Sequence, residues 1–158
     1  MLQSLEQELA MIEKLISEHI DRHPGLKEDM SLLSSIKSVG PQVGGHMLTI
    51  LRTHDFANAE QFAAYLGVVP IERRSGTSVR GAARLSKAGP PEIRAKLYMA
   101  ALTAIRFNPH VKAVYERLVS KGKPKMLALG AAMRKLVHLC YGVLHTRQRY
   151  DENDASCG

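Results

Sequence analysis

Between Val68 and Pro91 the chain carries proline or glycine at positions 70, 76, 81, 89, 90 and 91, and no α-helix runs through that spacing. On both sides of the break, apolar residues recur at helical intervals. The chain therefore reads as two helical stretches joined by a connection of roughly two dozen residues, a length that in compact domains goes with function or with short strands. Composition agrees with this division. Aromatic residues make up 5% and Trp is absent, against 45% hydrophobic residues in total. A core filled mainly by Leu, Ile, Val, Ala and Met suits helices better than sheets, so the expected class is mainly α.

Leu2, Leu5, Leu9, Ile12 and Ile16 keep a 3-4-3-4 spacing with charged residues between them, the pattern of an amphipathic helix with a coiled-coil seam. Pro24-Gly25 ends it. The seam is little more than two heptads. Residues 1–24 therefore read either as a coiled-coil-like helix that pairs chains or as a helix packed on its own domain. Further on, Leu33, Ile36 and Val39 lead at helical spacing into Gly40-Pro41-Gln42-Val43-Gly44-Gly45, and Met47 and Leu48 continue on the far side. This pattern resembles the helix-hairpin-helix motif, whose turn presents backbone N–H groups to a DNA phosphate at a helix N-terminus. Gly40 can adopt positive φ, and Pro41 fits the first turn of the second helix. Gly40 and Gly44 would let a ligand approach the backbone, and Lys37 would add charge. An ordinary αα-hairpin accounts for the same residues.

Asn58-Ala-Glu60-Gln61 has the form of a capping box, and Gly67 stops the helix it opens. After the break, a helix is expected from Pro91 to about Phe107. Asn108-Pro109 supplies the N-cap and first position of the next one. Lys121-Gly122-Lys123-Pro124-Lys125 is a basic turn, and the helix from about Pro124 to Gln148 is apolar on several faces and expected at the centre of the core. Residues 151–158 are read as a disordered acidic tail.

Charge is unevenly placed. The net charge is +7, yet the block from Ile71 to Lys125 alone holds 13 Lys or Arg against 3 Asp or Glu. Such a concentration fits a phosphate-facing surface. The block contains Glu72, Glu92 and Glu116 and no Asp, too few carboxylates for a two-metal nuclease. No Cys or His quartet has zinc spacing, and no metal site is expected. The two cysteines, Cys140 and Cys157, form no disulfide framework, so a reducing cytoplasm is the default location. No apolar run approaches the roughly 20 residues of a membrane span, and the first 18 residues hold four acidic groups and one Lys, the wrong balance for a signal peptide. The tyrosines fall at apolar helical positions and read as core residues with a polar handle.

The order of the pieces resembles the C-terminal transposase domain of the insertion-sequence one-ten family, the Piv-like group of bridge-RNA-guided recombinases. The residues that carry the resemblance are Ile36-x-x-Val39-Gly40-Pro41, the block from Phe62 to Pro70 through Tyr65 and Gly67, Arg74-Ser75-Gly76, Leu85-Ser86-Lys87-x-Gly89, Arg94-x-x-Leu97, Asn108-Pro109, Tyr115 and Lys121-Gly122-Lys123. It covers residues 31–150. Family resemblance implies a recombinase whose N-terminal RuvC-like domain binds divalent metal through four acidic residues. A coiled-coil connector joins that domain to a C-terminal domain with a catalytic serine. On this reading the chain holds connector and C-terminal domain, the RuvC-like domain lies outside it, and the isolated chain is catalytically incomplete with no cofactor of its own.

The resemblance places the nucleophile at the Ser75-Gly76 step, with Thr77 and Ser78 as neighbours two and three positions on. Serine is a weak nucleophile unless its surroundings activate it. Arg73, Arg74, Arg80 and Arg84 offer paired donors to phosphate oxygens, and Gly76 admits close backbone approach. Lys87, Arg94, Lys121 and Lys123 extend the basic set. Ser-Gly in a loop is also an ordinary turn. Three functions follow as expectations: strand exchange on DNA with a possible guide RNA as partner, a non-catalytic helix-hairpin-helix module that grips nucleic acid, and an interaction module assembled as a homo-oligomer through the N-terminal helix, with no membrane partner.

Overall fold

The computed structural model describes residues 1–71 and 84–154, with the strand pairing of residues 74–75 and 79–80; residues 72–73, 76–78, 81–83 and 155–158 lie outside the description. The elements run α1 (Leu2–Arg22), α2 (Pro24–Ser34), α3 (Pro41–Thr53), α4 (Ala59–Tyr65), then four two-residue strands, β1 (Pro70–Ile71), β2 (Arg74–Ser75), β3 (Val79–Arg80) and β4 (Arg84–Leu85), then α5 (Pro91–Phe107), α6 (Pro109–Ser120) and α7 (Lys125–Thr146). The chain is mainly α, as its sequence leads one to expect.

Proline and glycine set the boundaries. Proline occupies the first turn of α2, α3, α5 and α6, where its missing N–H costs nothing. Pro24 thus starts α2 directly after α1 ends. Gly67 (φ 73°) and Gly122 (φ 77°) close α4 and α6 in the left-handed conformation. In each case two amides return to the last turn: Gly67 N to Ala64 O and Val68 N to Ala63 O, then Gly122 N to Val119 O and Lys123 N to Leu118 O. This is the Schellman arrangement, which satisfies carbonyls the helix leaves open.

α7 is the central element, packed against α4, α5 and α6. Its Leu129, Ala132, Met133, Leu136, Val137 and Cys140 are buried, together with Leu97, Ala101 and Ala104 of α5, Val111 of α6, and Phe62 of α4. α7 has 22 residues, and an 18-residue stretch within it has a mean hydropathy of 1.3, enough by length and composition for a membrane span, but it is the core helix of this bundle. The small residues Ala128 and Ala132 on α7, with Ala100, Ala101 and Ala104 on α5, leave room for close helix approach.

Three expectations are corrected. Ile36 and Val39, read as helical positions, lie in the turn after α2, which ends at Ser34; both are buried there. α1 does not pack its seam on the domain: none of its residues is buried, and Leu2, Leu5, Leu9, Ile12 and Ile16 each stay more than half exposed. Finally, Asp151–Asp154, read as part of a disordered tail, form a turn held against the domain by Glu152 and Asp154.

Candidate nucleic-acid interface

The hairpin between α2 and α3 turns through Ser38, which takes φ 81°, while Gly40 is extended at φ −88° and ψ −177°. The positive φ that Gly40 could have supplied therefore falls two residues earlier, on a serine whose Oγ is buried without a partner. Gly40 is the N-cap of α3 and has no side chain to cap it. The first turn of any helix leaves amides without intrahelical partners, and here the turn is exposed at Gly40, Pro41 and Gln42. A side chain at Gly40 would meet nothing within 4 Å, so packing does not require glycine at that position. Gly44 differs. A Cβ there would stand 2.9 Å from Met30 Cε, so the residue serves the packing of α3 on α2.

Lys37 is in this turn and forms an ion pair with Glu152. Its carbonyl accepts from Asn108 Nδ2 at 3.4 Å. Asn108 is fully buried and ties three segments together. Its Oδ1 accepts from the amides of His110 (3.1 Å) and Val111 (3.2 Å), capping α6, and from the Tyr150 hydroxyl at 2.8 Å. Sequence reasoning found the cap. It had no signal for the links to Lys37 and Tyr150, which lie 71 and 42 residues away.

The segment between α4 and α5 forms nested antiparallel pairs. Pro70 pairs with Leu85 and Ile71 with Arg84, then Arg74 with Arg80 and Ser75 with Val79. Two residues separate β1 from β2 and three separate β3 from β4. Ser75, Arg74 and Arg80 are thus in the inner pair, and Arg73 and Gly76 lie outside the described residues. The stem continues through Ser86 N to Val69 O (2.9 Å) and Lys87 N to Gly67 O (3.1 Å). Arg84 and Lys87 are exposed. Arg94 is engaged, donating to the Gly89 carbonyl and so fixing the end of the stem to the start of α5.

Lys121 and Lys123 are exposed in the turn between α6 and α7. Leu85 packs on Gly130 in the first part of α7, which puts the ribbon stem at the same end of the molecule as this turn. Lys37 is at the other end of α6, whose 12 residues span roughly 18 Å. The candidate residues thus form two groups rather than one patch: Lys37 with the start of α3, and the ribbon with Arg84, Lys87, Lys121 and Lys123.

Other polar groups are accounted for by the fold. Asp29 is buried and receives Arg52 Nε at 2.7 Å and also Arg147, which binds α2 to α3 and to the end of α7. A groove of about 400 Å³ beside this network is lined by Arg52, His54, Phe56, Tyr141 and Arg147. His46 accepts from Lys96 Nζ at 3.0 Å; burial, reinforced by the Lys96 charge, holds its pKa below the ordinary value. His138, with Nε2 buried and unpartnered, is lowered by burial and by Arg134 and Lys135. Burial pushes the Cys140 thiol up to about 12, which leaves it unreactive. Among the described residues no group of three or more His, Cys, Asp or Glu could hold a metal. What these surfaces offer chemically is cations and open amides for phosphate.

Residues 30–116 match the sequence model described as the IS116/IS110/IS902 transposase family. Over 146 residues, 91% of the chain, the sequence is 27% identical to the pilin gene-inverting protein of Moraxella lacunata and covers 45% of that protein. It is 22% identical over 151 residues (95% of the chain) to the 43.6 kDa protein of insertion element IS110 of Streptomyces coelicolor, covering 36% of it. A third relative is the 42 kDa protein of insertion element IS900 of Mycobacterium paratuberculosis, 24% identical over 149 residues, 93% of the chain and 36% of the relative. The chain spans less than half the length of these relatives.

Proposed function

The chain belongs to the IS116/IS110/IS902 transposase family, and from that premise we propose that it is the DNA-gripping and strand-exchange domain of a recombinase in which Ser75 is the nucleophile. The observation that carries this reading is the pairing of Arg74 with Arg80 beside Ser75 and Val79, within the matched region. This pairing brings two basic residues of the sequence to facing positions next to the serine, and a phosphate, the group that a serine in this ribbon would attack, is what such a basic segment attracts. Ser75 Oγ forms a bond to phosphorus, the bond from phosphorus to the 3′ oxygen breaks, and the serine proton is transferred so that the departing oxygen ends protonated. The covalent intermediate keeps the bond energy for rejoining. We assign the divalent metal to the acidic residues of a RuvC-like domain beyond this chain, and a guide RNA to the same phosphate-facing surfaces.

Ser75→Ala, made in a protein that includes the RuvC-like domain, is expected to lower strand joining by about a thousandfold or more, as for loss of a nucleophile. DNA affinity should stay within about twofold, because a neutral hydroxyl adds little to phosphate binding. Joining at the normal rate by this variant would refute the assignment.

A second reading rests on the hairpin. Lys37, the open space around Gly40 and the exposed first turn of α3 support a helix-hairpin-helix grip on phosphate that needs no catalysis. α1 supports assembly as well, since its apolar seam is exposed from Leu2 to Ile16 and self-pairing would bury it. Light scattering on the chain with and without residues 1–24 tests this. A larger mass for the intact chain is expected, and equal monomeric masses would exclude helix-mediated assembly.

A further inference from the structure

The acidic end of the chain is bound where the hairpin reading puts a phosphate. α7 ends on Arg147 in the left-handed region (φ 60°), which turns the chain back over the domain. Contacts then follow along the returning segment. Arg147 meets Asp29 and, at 3.1 Å, Glu28. Arg149 donates to Ser31 Oγ at 2.9 Å. The Tyr150 amide donates to Ser35 Oγ at 2.9 Å, and its hydroxyl reaches Asn108 at 2.8 Å and meets His110 Nδ1. Glu152 pairs with Lys37, and His110 Nε2–H donates to the Asp154 carbonyl at 3.0 Å. The Asn153 amide closes a turn on Asp151 Oδ1 at 2.9 Å.

We propose that this segment, Asp151–Asp154, is a self-competing strap: its Glu152 carboxylate occupies the Lys37 ammonium in the free protein, and a nucleic-acid phosphate displaces it on binding. The proposal rests on the reading that the hairpin end grips phosphate. A carboxylate and a phosphate diester present the same single negative charge and the same acceptor oxygens to a lysine. The two ends of the strap differ in strength. Tyr150 is packed against the core and held by a buried asparagine, so it stays in place. The Lys37–Glu152 pair has side chains 54% and 35% exposed, and an ion pair so open to water is weak enough to exchange. Glu152 also places negative charge at the hairpin, which opposes the approach of DNA there until the strap moves.

The test is binding of the full chain to a duplex of about 30 base pairs, at salt between about 50 and 200 mM. Glu152→Gln keeps the shape and removes the charge. It is expected to tighten binding about two- to fivefold at the low-salt end, with the gain shrinking as salt rises. In a Lys37→Gln background the same change should give no more than the small general gain from removing one negative charge. A melting temperature equal to that of the parent shows that the fold is intact. If the parent binds DNA and Glu152→Gln binds no more tightly, the strap proposal is wrong while the hairpin reading stands. If neither protein binds, even at the lowest salt, the hairpin reading fails and the strap proposal falls with it. If only Glu152→Gln binds, the strap is established in its strongest form.

Discussion

Asn108 shows how one residue joins local and long-range order. In the sequence it is the polar residue before Pro109, enough to mark a helix start. In the fold it is buried, and it uses both ends of its amide: Oδ1 for the first turn of α6 and the Tyr150 hydroxyl, Nδ2 for the Lys37 carbonyl. Asn108→Ala removes the cap and takes the partner from the Lys37 carbonyl, while the tyrosine hydroxyl keeps His110 Nδ1. A loss of about 2–3 kcal/mol in unfolding free energy is expected, the sum of a cap and an orphaned buried group. Chemical denaturation measures it; a loss below about 0.5 kcal/mol, as for an ordinary surface change, would show that the buried links contribute nothing. Ser38 makes the converse case. Its positive φ and its buried, unpartnered hydroxyl both run against ordinary serine preferences, and no local pattern marked it.

At the scale of elements, glycines of identical sequence appearance do opposite things. Gly89 was legible as a breaker, but its structural role is close approach of two backbones: a Cβ there would be 2.2 Å from Tyr65 O and 2.7 Å from Leu66 C. Gly45, within α3, has nothing within 4 Å of the same position. Gly89→Ala must push the ribbon stem away from α4 and is expected to destabilise by about 1–3 kcal/mol. Gly45→Ala should stabilise by about 0.5–1 kcal/mol through helix propensity alone. Denaturant midpoints of the two variants should therefore move in opposite directions, and a shared direction would contradict the packing described. The helices themselves were readable because their proline starts and apolar spacing are local. The nested strands were not, because each is two residues long and its pairing joins positions up to 15 apart.

For the molecule as a whole, the pH dependence follows from two histidines held neutral. His46 and His138 have folded-state pKa values below the ordinary value of about 6.5, the first by burial and Lys96, the second by burial and Arg134 and Lys135. The unfolded chain takes up protons there more readily than the folded one. Stability is therefore full above about pH 6.5 and falls as the medium becomes more acidic. Thermal melts between about pH 7.5 and 5 should show a declining midpoint, and His138→Gln should decline less steeply. A steeper decline in that variant would contradict the assignment. The fold also separates two candidate surfaces: the basic block's Arg84, Lys87, Lys121 and Lys123 gather at one end of α6, Lys37 and the hairpin are at the other, and a nucleic acid touching both must span roughly 18 Å.

The sequence by itself determined the helical class, the proline and glycine boundaries, the central position of α7 and the family, because helix signals are local and motif order is linear. Only the tertiary structure decided which cations are free. Lys37 looked like an open phosphate contact and is bound to Glu152; Arg94 looked like another and is spent on the Gly89 carbonyl; the tail that looked unattached crosses the hairpin. The physical reason is that a charge's availability depends on what lies within a few ångströms of it. For Lys37 that neighbour comes from more than a hundred residues away in the chain, where no periodicity or spacing can announce it.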